Sequence, residues 1–248
     1  MNKNTVLFVE PRIYDECPSV LNHFVNILGE DWNYVFYCGK GTKTHWENSS
    51  LHKIYEIREL DVDNFPSANL YSDFMKQRSL WDSLYGEYVL TAQMDTWITN
   101  DHGHTIYDFI RLNKSYIGGN MNYDWRELYY REKIYPKYKN FNGGLSLRKR
   151  MDMLRIIDSF PPIKTGDTSI DETKRDIHTD AEDVYFTLGC YKLGLPLGDD
   201  EVCNNFCVSG YLTDTFFGIH KPWRNVGEQL IRKIPDLKEK NPHVFFYK

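Results

Sequence analysis

Three stretches of the chain carry residues able to do chemistry together. In residues 88–98, YVLTAQMDTWI, the segment Tyr88-Val89-Leu90-Thr91-Ala92 is mostly apolar and rich in strand formers, with no charge until Asp95. Such a run predicts a central strand covered on both faces. Asp95 arrives where that strand should end, with Thr96 behind it. Ligands of open α/β sheets lie in the crevice at the carboxyl ends of the strands. A carboxylate there suits a hard divalent cation bridging to phosphates; it equally suits an Asp that closes a turn. In residues 140–150, NFNGGLSLRKR, Asn142-Gly143-Gly144 lets the backbone pass close to a ligand. Leu147, Met151, Leu154 and Ile157 then fall at helical spacing. That places Arg148-Lys149-Arg150 in a first helical turn, where the dipole disfavours cations, and predicts a solvated basic face. In the third stretch, Thr179-Asp180-Ala181-Glu182 spells a capping box. Glu182 then folds back on the Thr179 amide, and Asp183 is the carboxylate left over. Later, residues 216–223, FFGIHKPW, bring His220 out of an apolar run, as a packed histidine or as a ligand.

The elements that must position these residues alternate in type. Residues 5–9, TVLFV, predict a buried strand that ends in Glu10-Pro11-Arg12. Ser19 is a candidate N-cap. Val20, Leu21, Phe24, Val25 and Leu28 follow at helical spacing, and Gly29 closes the helix. Residues 34–38 form a second strand and residues 54–60 a weaker third. Pro66-Ser67 opens a helix running to about Tyr85, with Arg78 on the rim of its apolar face, able to reach a pyrophosphate or to extend into solvent. Strand, helix, strand, strand, helix, strand implies a mainly parallel sheet with helices on its faces. Neither GxGxxG nor GxxxxGK[ST] is present, so a bound nucleotide would need a metal ion for much of the phosphate work. Further on, His102-Gly103-His104 reads as a turn and residues 106–112 as a short helix. The Tyr- and Trp-rich stretch to Tyr138 reads as a lid or aromatic groove. Residues 164–180 read as an exposed loop, residues 202–208 as a strand, and the tail from Asn225 as a charged peripheral helix.

The 248 residues fit one large domain or two small ones; with no Pro/Gly linker, the expectation is a single domain over 1–248. A net charge of −5 argues against a general nucleic-acid binder. Five scattered Cys fit reduced thiols. No apolar run approaches the roughly 18 residues that cross a membrane. The opening MNKNTVLFVEPR lacks a signal-peptide cleavage pattern. The expectation is a cytoplasmic protein without a transmembrane segment.

Taken in order, the strand ending in Asp95, the NGG-L-S-L-R segment at residues 142–148, E-D-V-Y-F at 182–186 and G-I-H-K-P-W at 218–223 resemble glycosyltransferases of the GT-A type. They look most similar to a glycosyltransferase-like family of unassigned activity found in microbes and large viruses. The resemblance runs from Thr5 to Trp223. It implies a single GT-A, Rossmann-like α/β domain with a mostly parallel sheet flanked by helices. Residues 1–100 would bind nucleotide, and 101–248 would carry acceptor and catalytic groups. The donor, a UDP-sugar on this expectation, would meet Val9, Glu10, Arg12, Arg78, Gln93, Met94, Asp95, Thr96, Asn142, Gly143 and Gly144. Gln93-Met94-Asp95 matches the family's D-x-D metal motif with only its last acid. Asp95 and His220 would then hold Mn²⁺ or Mg²⁺. In the E-D pair the resemblance makes Asp183 the general base of an inverting transfer to a glycan or other hydroxyl acceptor, with Glu182 second. Two other readings stand beside it. One is a catalytically inactive carbohydrate- or nucleotide-binding module, favoured by the missing acid. The other is a sugar-phosphate nucleotidyltransferase, disfavoured because Glu10-Pro11-Arg12 is no Gly-rich loop.

Overall fold

Val6, Leu7, Phe8, Val89 and Leu90 are all 0–1% exposed, and the strands that carry them lie side by side. These are β1 (Asn4–Val9) and β4 (Tyr88–Ala92), parallel, with Val6 opposite Leu90. The computed structural model describes residues 3–120, 141–167, 177–178 and 180–245. The other strands are β2 (Trp32–Cys38), β3 (Tyr55–Glu59), β5 (Thr96–Ile98), β6 (Tyr116–Asn120), β7 (Phe141–Lys149), β8 (Cys207–Val208) and β9 (Gly218–His220). Six form one sheet in the order β3-β2-β1-β4-β7-β6. The first four are parallel, and β7 runs against both β4 and β6. The sheet is therefore mixed and mostly parallel, flanked by helices, as the alternation of elements predicts. A small sheet, β5-β9-β8, stands beside it. Among the described residues no helix is long and apolar enough to cross a membrane, and all five cysteines are free and buried.

Five expectations fail, each for a local reason. Ser19 caps no helix: it lies inside Cys17–Leu28, which starts earlier, after Glu16, with Pro18 in its first turn. The helix expected from Pro66 to Tyr85 is two helices, Ala68–Met75 and Arg78–Asp82. Lys76 between them is 1% exposed and turns its ammonium inward, 2.6 Å from Thr165 Oγ1 and 2.9 Å from the Asp180 carbonyl. Residues 202–208 alternate like a strand, yet Asp200–Phe206 is a helix. The Asp199 side chain accepts from the Val202 amide at 2.9 Å, and Asp200 and Glu201 favour the positive end of the helix dipole. Arg148 lies on no solvated helix face. β7 continues through Lys149, and the helix Arg150–Ser159 starts after it. The start of the next helix differs from the capping-box reading as well. Thr179 lies outside the described residues, the helix Glu182–Leu193 follows Ala181, and the Glu182 side chain is engaged elsewhere. The expected aromatic lid, residues 121–138, also lies outside the described residues. The C-terminal helix Arg224–Lys233 forms as expected. Val226 and Leu230 join Val208, Phe216, Ile219, Leu237, Val244 and Phe245 in a second, smaller apolar cluster.

Candidate active site

β5 leaves Asp95 at the carboxyl end of β4 and pairs antiparallel with β9, setting Thr96 opposite His220. Two residues 125 positions apart in sequence are thereby neighbours. His220 Nε2 lies 3.2 Å from Asp95 Oδ1 and 3.2 Å from Gln93 Oε1. Asp95 Oδ1 and His220 Nδ1 are shielded from water, and neither makes a hydrogen bond. The imidazole–carboxylate approach is close but not aligned as a hydrogen bond. Buried polar atoms without partners are rare and call for an explanation. Burial alone would raise the Asp95 pKa, but His220 and Lys221 hold it below the usual carboxylate value. Lys221 follows with φ 38, a left-handed conformation uncommon outside glycine, and its amide donates to the Asp95 carbonyl at 3.3 Å.

Gln93, Asp95 and Lys221 border a cleft of about 610 Å³ at the carboxyl ends of β1 and β4, which His220 itself does not line. Of the residues expected to meet the donor, Val9, Glu10, Arg12, Gln93, Met94 and Asp95 line it. Arg12 is already engaged: its guanidinium binds Glu10 through Nε at 2.9 Å and Nη2 at 3.1 Å. Thr96 does not line the cleft; its hydroxyl is turned back onto the Gln93 carbonyl at 2.5 Å. Arg78 stands apart, on the surface between Asp82 and Asp158, in the solvent reading of its sequence.

Asn142, Gly143 and Gly144 lie in a strand rather than in a loop. The Asn142 side chain accepts from the Gly144 amide at 2.6 Å. A Cβ on Gly144 would lie 2.2 Å from His220 Nε2, and one on Gly143 would lie 2.0 Å from Glu182 Oε1. Successive strand positions point to opposite faces. His220 and Glu182 therefore flank β7 from its two sides, and both glycines are required by protein side chains. Glu182 is held by Arg148, Nη1 to Oε2 at 2.5 Å, with both residues almost fully buried. The same guanidinium donates to Ser146 Oγ at 2.8 Å and to the Gly143 carbonyl at 3.2 Å, among the rings of Tyr116, Phe186 and Trp81. Asp183 is half-buried, its Oδ1 accepting from the Val184 amide at 2.7 Å. Burial and the neighbouring Glu182 charge push its carboxyl up to about 7.

Sequence reasoning missed Arg148, whose place in a strand buried almost throughout was hidden by the apolar spacing beyond it. It also missed Tyr71, Lys221 and His243 on the cleft. Burial raises the Tyr71 phenol pKa. His243 left no local signal, because only the packing of the C-terminal segment brings it there.

Residues 54–222 match the family described as "Protein of unknown function (DUF5672)". The chain belongs to that family. No curated protein matches it. Among solved structures, Staphylococcus aureus TarS 1-349 in complex with UDP-GlcNAc is similar at 13% identity and a TM-score of 0.46, over 88% of this chain and 58% of that one. The mannosyltransferase PcManGT from Pyrobaculum calidifontis, in complex with GDP-Man and Mn²⁺, is similar at 13% identity and a TM-score of 0.48, over 96% of this chain and 63% of that one. The DUF5672 chain thus spans about three fifths of the length of these two proteins.

Proposed function

We propose that this DUF5672 protein is a glycosyltransferase that moves a sugar from a nucleotide-sugar, a UDP-sugar first, to a hydroxyl acceptor with inversion. The observation that carries the reading is the Asp95–His220 corner. A buried carboxylate oxygen without a hydrogen bond faces an imidazole nitrogen 3.2 Å away, beside a cleft at the strand ends. Two ligands set at right angles around an ion, each about 2.1 Å from it, stand about 3 Å apart, so the pair fits a divalent cation. One oxygen and one nitrogen ligand favour Mn²⁺ over Mg²⁺. Among the described residues no third His, Cys, Asp or Glu joins them, which leaves the remaining positions to diphosphate and water. When bound, the ion supplies Lewis-acid stabilisation of the leaving diphosphate. Lys221 adds a cation on the same wall. Asp183, with its pKa near neutrality, suits a general base that takes the acceptor hydroxyl proton. Glu182 is assigned to structure, because Arg148 holds it.

The test is a panel of UDP-, GDP- and dTDP-sugars with Mn²⁺, scored by nucleotide release with and without simple glycoside acceptors. Release with one donor, lost in Asp95→Asn and Asp183→Asn, is the expected outcome. Tight nucleotide binding with no release from any donor would favour an inactive binding module instead. The Gln93 amide, standing where a D-x-D motif has its first acid, supports that second reading.

A further inference from the structure

The family match leaves out the cleft residues that follow β1 and, from the other end of the chain, His243. The match ends at residue 222, yet His243 lines the same cleft as Asp95 and Lys221. Packing holds it there. The next two residues, Val244 and Phe245, are buried in the cluster that includes Ile219 of β9. The packing that places His220 therefore also places His243. The imidazole touches the Thr96 carbonyl through Nε2 at 3.3 Å. A carbonyl only accepts, so Nε2 carries the hydrogen and Nδ1 keeps a lone pair. Among the described residues nothing hydrogen-bonds Nδ1. Burial lowers the pKa of the ring, which favours this neutral form.

We propose that His243 is a donor-binding residue whose Nδ1 accepts a hydrogen bond from a sugar hydroxyl flanking the diphosphate. This rests on the nucleotide-sugar reading and deepens it. A neutral acceptor matches a hydroxyl and not a phosphate, since an ionised phosphate oxygen has no hydrogen to give. The anchor at Thr96, next in chain to Asp95, puts the ring beside the diphosphate rather than at the far end of the cleft. Two groups with hydroxyls flank a diphosphate, the ribose and the sugar to be transferred.

The experiment measures binding of UDP, 2′,3′-dideoxy-UDP and UDP-glucose, each with Mn²⁺, by calorimetry. It compares the full-length chain with His243→Phe and His243→Gln, with thermal midpoints taken alongside. Phe keeps the ring volume and removes the acceptor; Gln keeps an amide hydrogen for Thr96 and an acceptor oxygen. Loss of one hydrogen bond, about 0.5–1.5 kcal/mol, corresponds to roughly a two- to tenfold weaker Kd. If the ribose is the partner, Phe weakens UDP and UDP-glucose by that factor and leaves the dideoxy compound unchanged. If the transferred sugar is the partner, only UDP-glucose weakens. In both cases Gln restores part of the affinity. Equal weakening of all three ligands, or of none, overturns the proposal while leaving the nucleotide-sugar reading intact. Failure of the wild type to bind any of the three overturns both the proposal and the UDP-sugar reading on which it rests.

Discussion

Glu182 and Asp95 are both carboxylates drawn away from water, and they approach the glycine pair of β7 from opposite sides, Glu182 directly and Asp95 through His220. Their surroundings differ. Glu182 meets a guanidinium that is 0% exposed and that fills its other bonds with Ser146 and the Gly143 carbonyl. Every charge there has a partner inside the protein. Asp95 meets an imidazole in poor alignment, and Oδ1 keeps no hydrogen bond. A satisfied buried pair is a structural device, whereas an unsatisfied buried oxygen at a cleft edge is a place for a ligand. The two neighbouring glycines make both arrangements possible by removing one side chain from each face of the strand.

The largest expected effect lies on the structural side. Removing one partner of a buried pair leaves a charge uncompensated, at about 3–5 kcal/mol. Arg148→Met should lose that much in urea unfolding, and Arg148→Met with Glu182→Leu should recover most of it. Asp95→Asn should unfold close to wild type. If Asp95→Asn is as damaging as Arg148→Met, the two carboxylates do not differ in kind.

Catalysis gives the next effect. Asp183→Asn should lower turnover by about 10²–10⁴-fold while nucleotide still binds. Its pH signature can be read without any substrate. The folded protein holds the Asp183 proton up to about pH 7, well above the ordinary value of 3.8. The native state thus binds more protons than the unfolded state between those values, and stability should fall as pH rises through that window. Asp95 has the opposite sign. Its pKa is lowered, so its contribution is lost only as pH falls below the ordinary carboxylate range. Stability curves of Asp183→Asn should lack the decline between about pH 4 and 7 that wild type shows. A curve superimposable on wild type would remove Asp183 from the role of near-neutral base.

Metal linkage is smaller and belongs to the open side. A ligand at about 100 times its Kd stabilises by about 2.7 kcal/mol. Mn²⁺ with UDP should raise the unfolding free energy of wild type by up to that amount, and the gain should vanish in Asp95→Asn and His220→Ala. An equal gain in those variants would place the ion elsewhere.

How much of this was legible in the sequence follows from what each feature depends on. β1 and β4 were readable because strands covered on both faces are continuous apolar runs, and Asp95 because it ends one of them. The Asp95–His220 contact was reachable only through resemblance, since it depends on the β5–β9 register. Arg148 was read as solvated, because a charge fully buried by one carboxylate and three rings leaves no pattern in the chain. The helix at residues 200–206 was missed although its signal was present: Asp199 before Asp200-Glu201 is a cap followed by an acidic first turn. His243 needed the second apolar cluster, which no local spacing announces.

The smallest expected effect is the one in which stability and binding should move in opposite directions. Lys221 has φ 38, and an L-residue in that region costs roughly 1–2 kcal/mol. Pro222 follows it, and a proline favours extended backbone in the residue before it. Glycine removes the Cβ strain but leaves a more flexible unfolded chain, which offsets about 0.4–1 kcal/mol of the gain. Lys221→Gly should therefore be stabilised by about 1 kcal/mol or less. It also loses the ammonium, which among the described residues forms no ion pair, and should bind UDP with Mn²⁺ more weakly than wild type. Lys221→Ala separates the two contributions. It loses the same charge and keeps the strain, so it should match the glycine variant in weakened binding without its added stability. If the two variants are equally stable, the left-handed backbone at Lys221 carries no strain. If both bind UDP as wild type does, the cation at position 221 takes no part in holding the diphosphate, and the open side of the comparison reduces to Asp95 and His220.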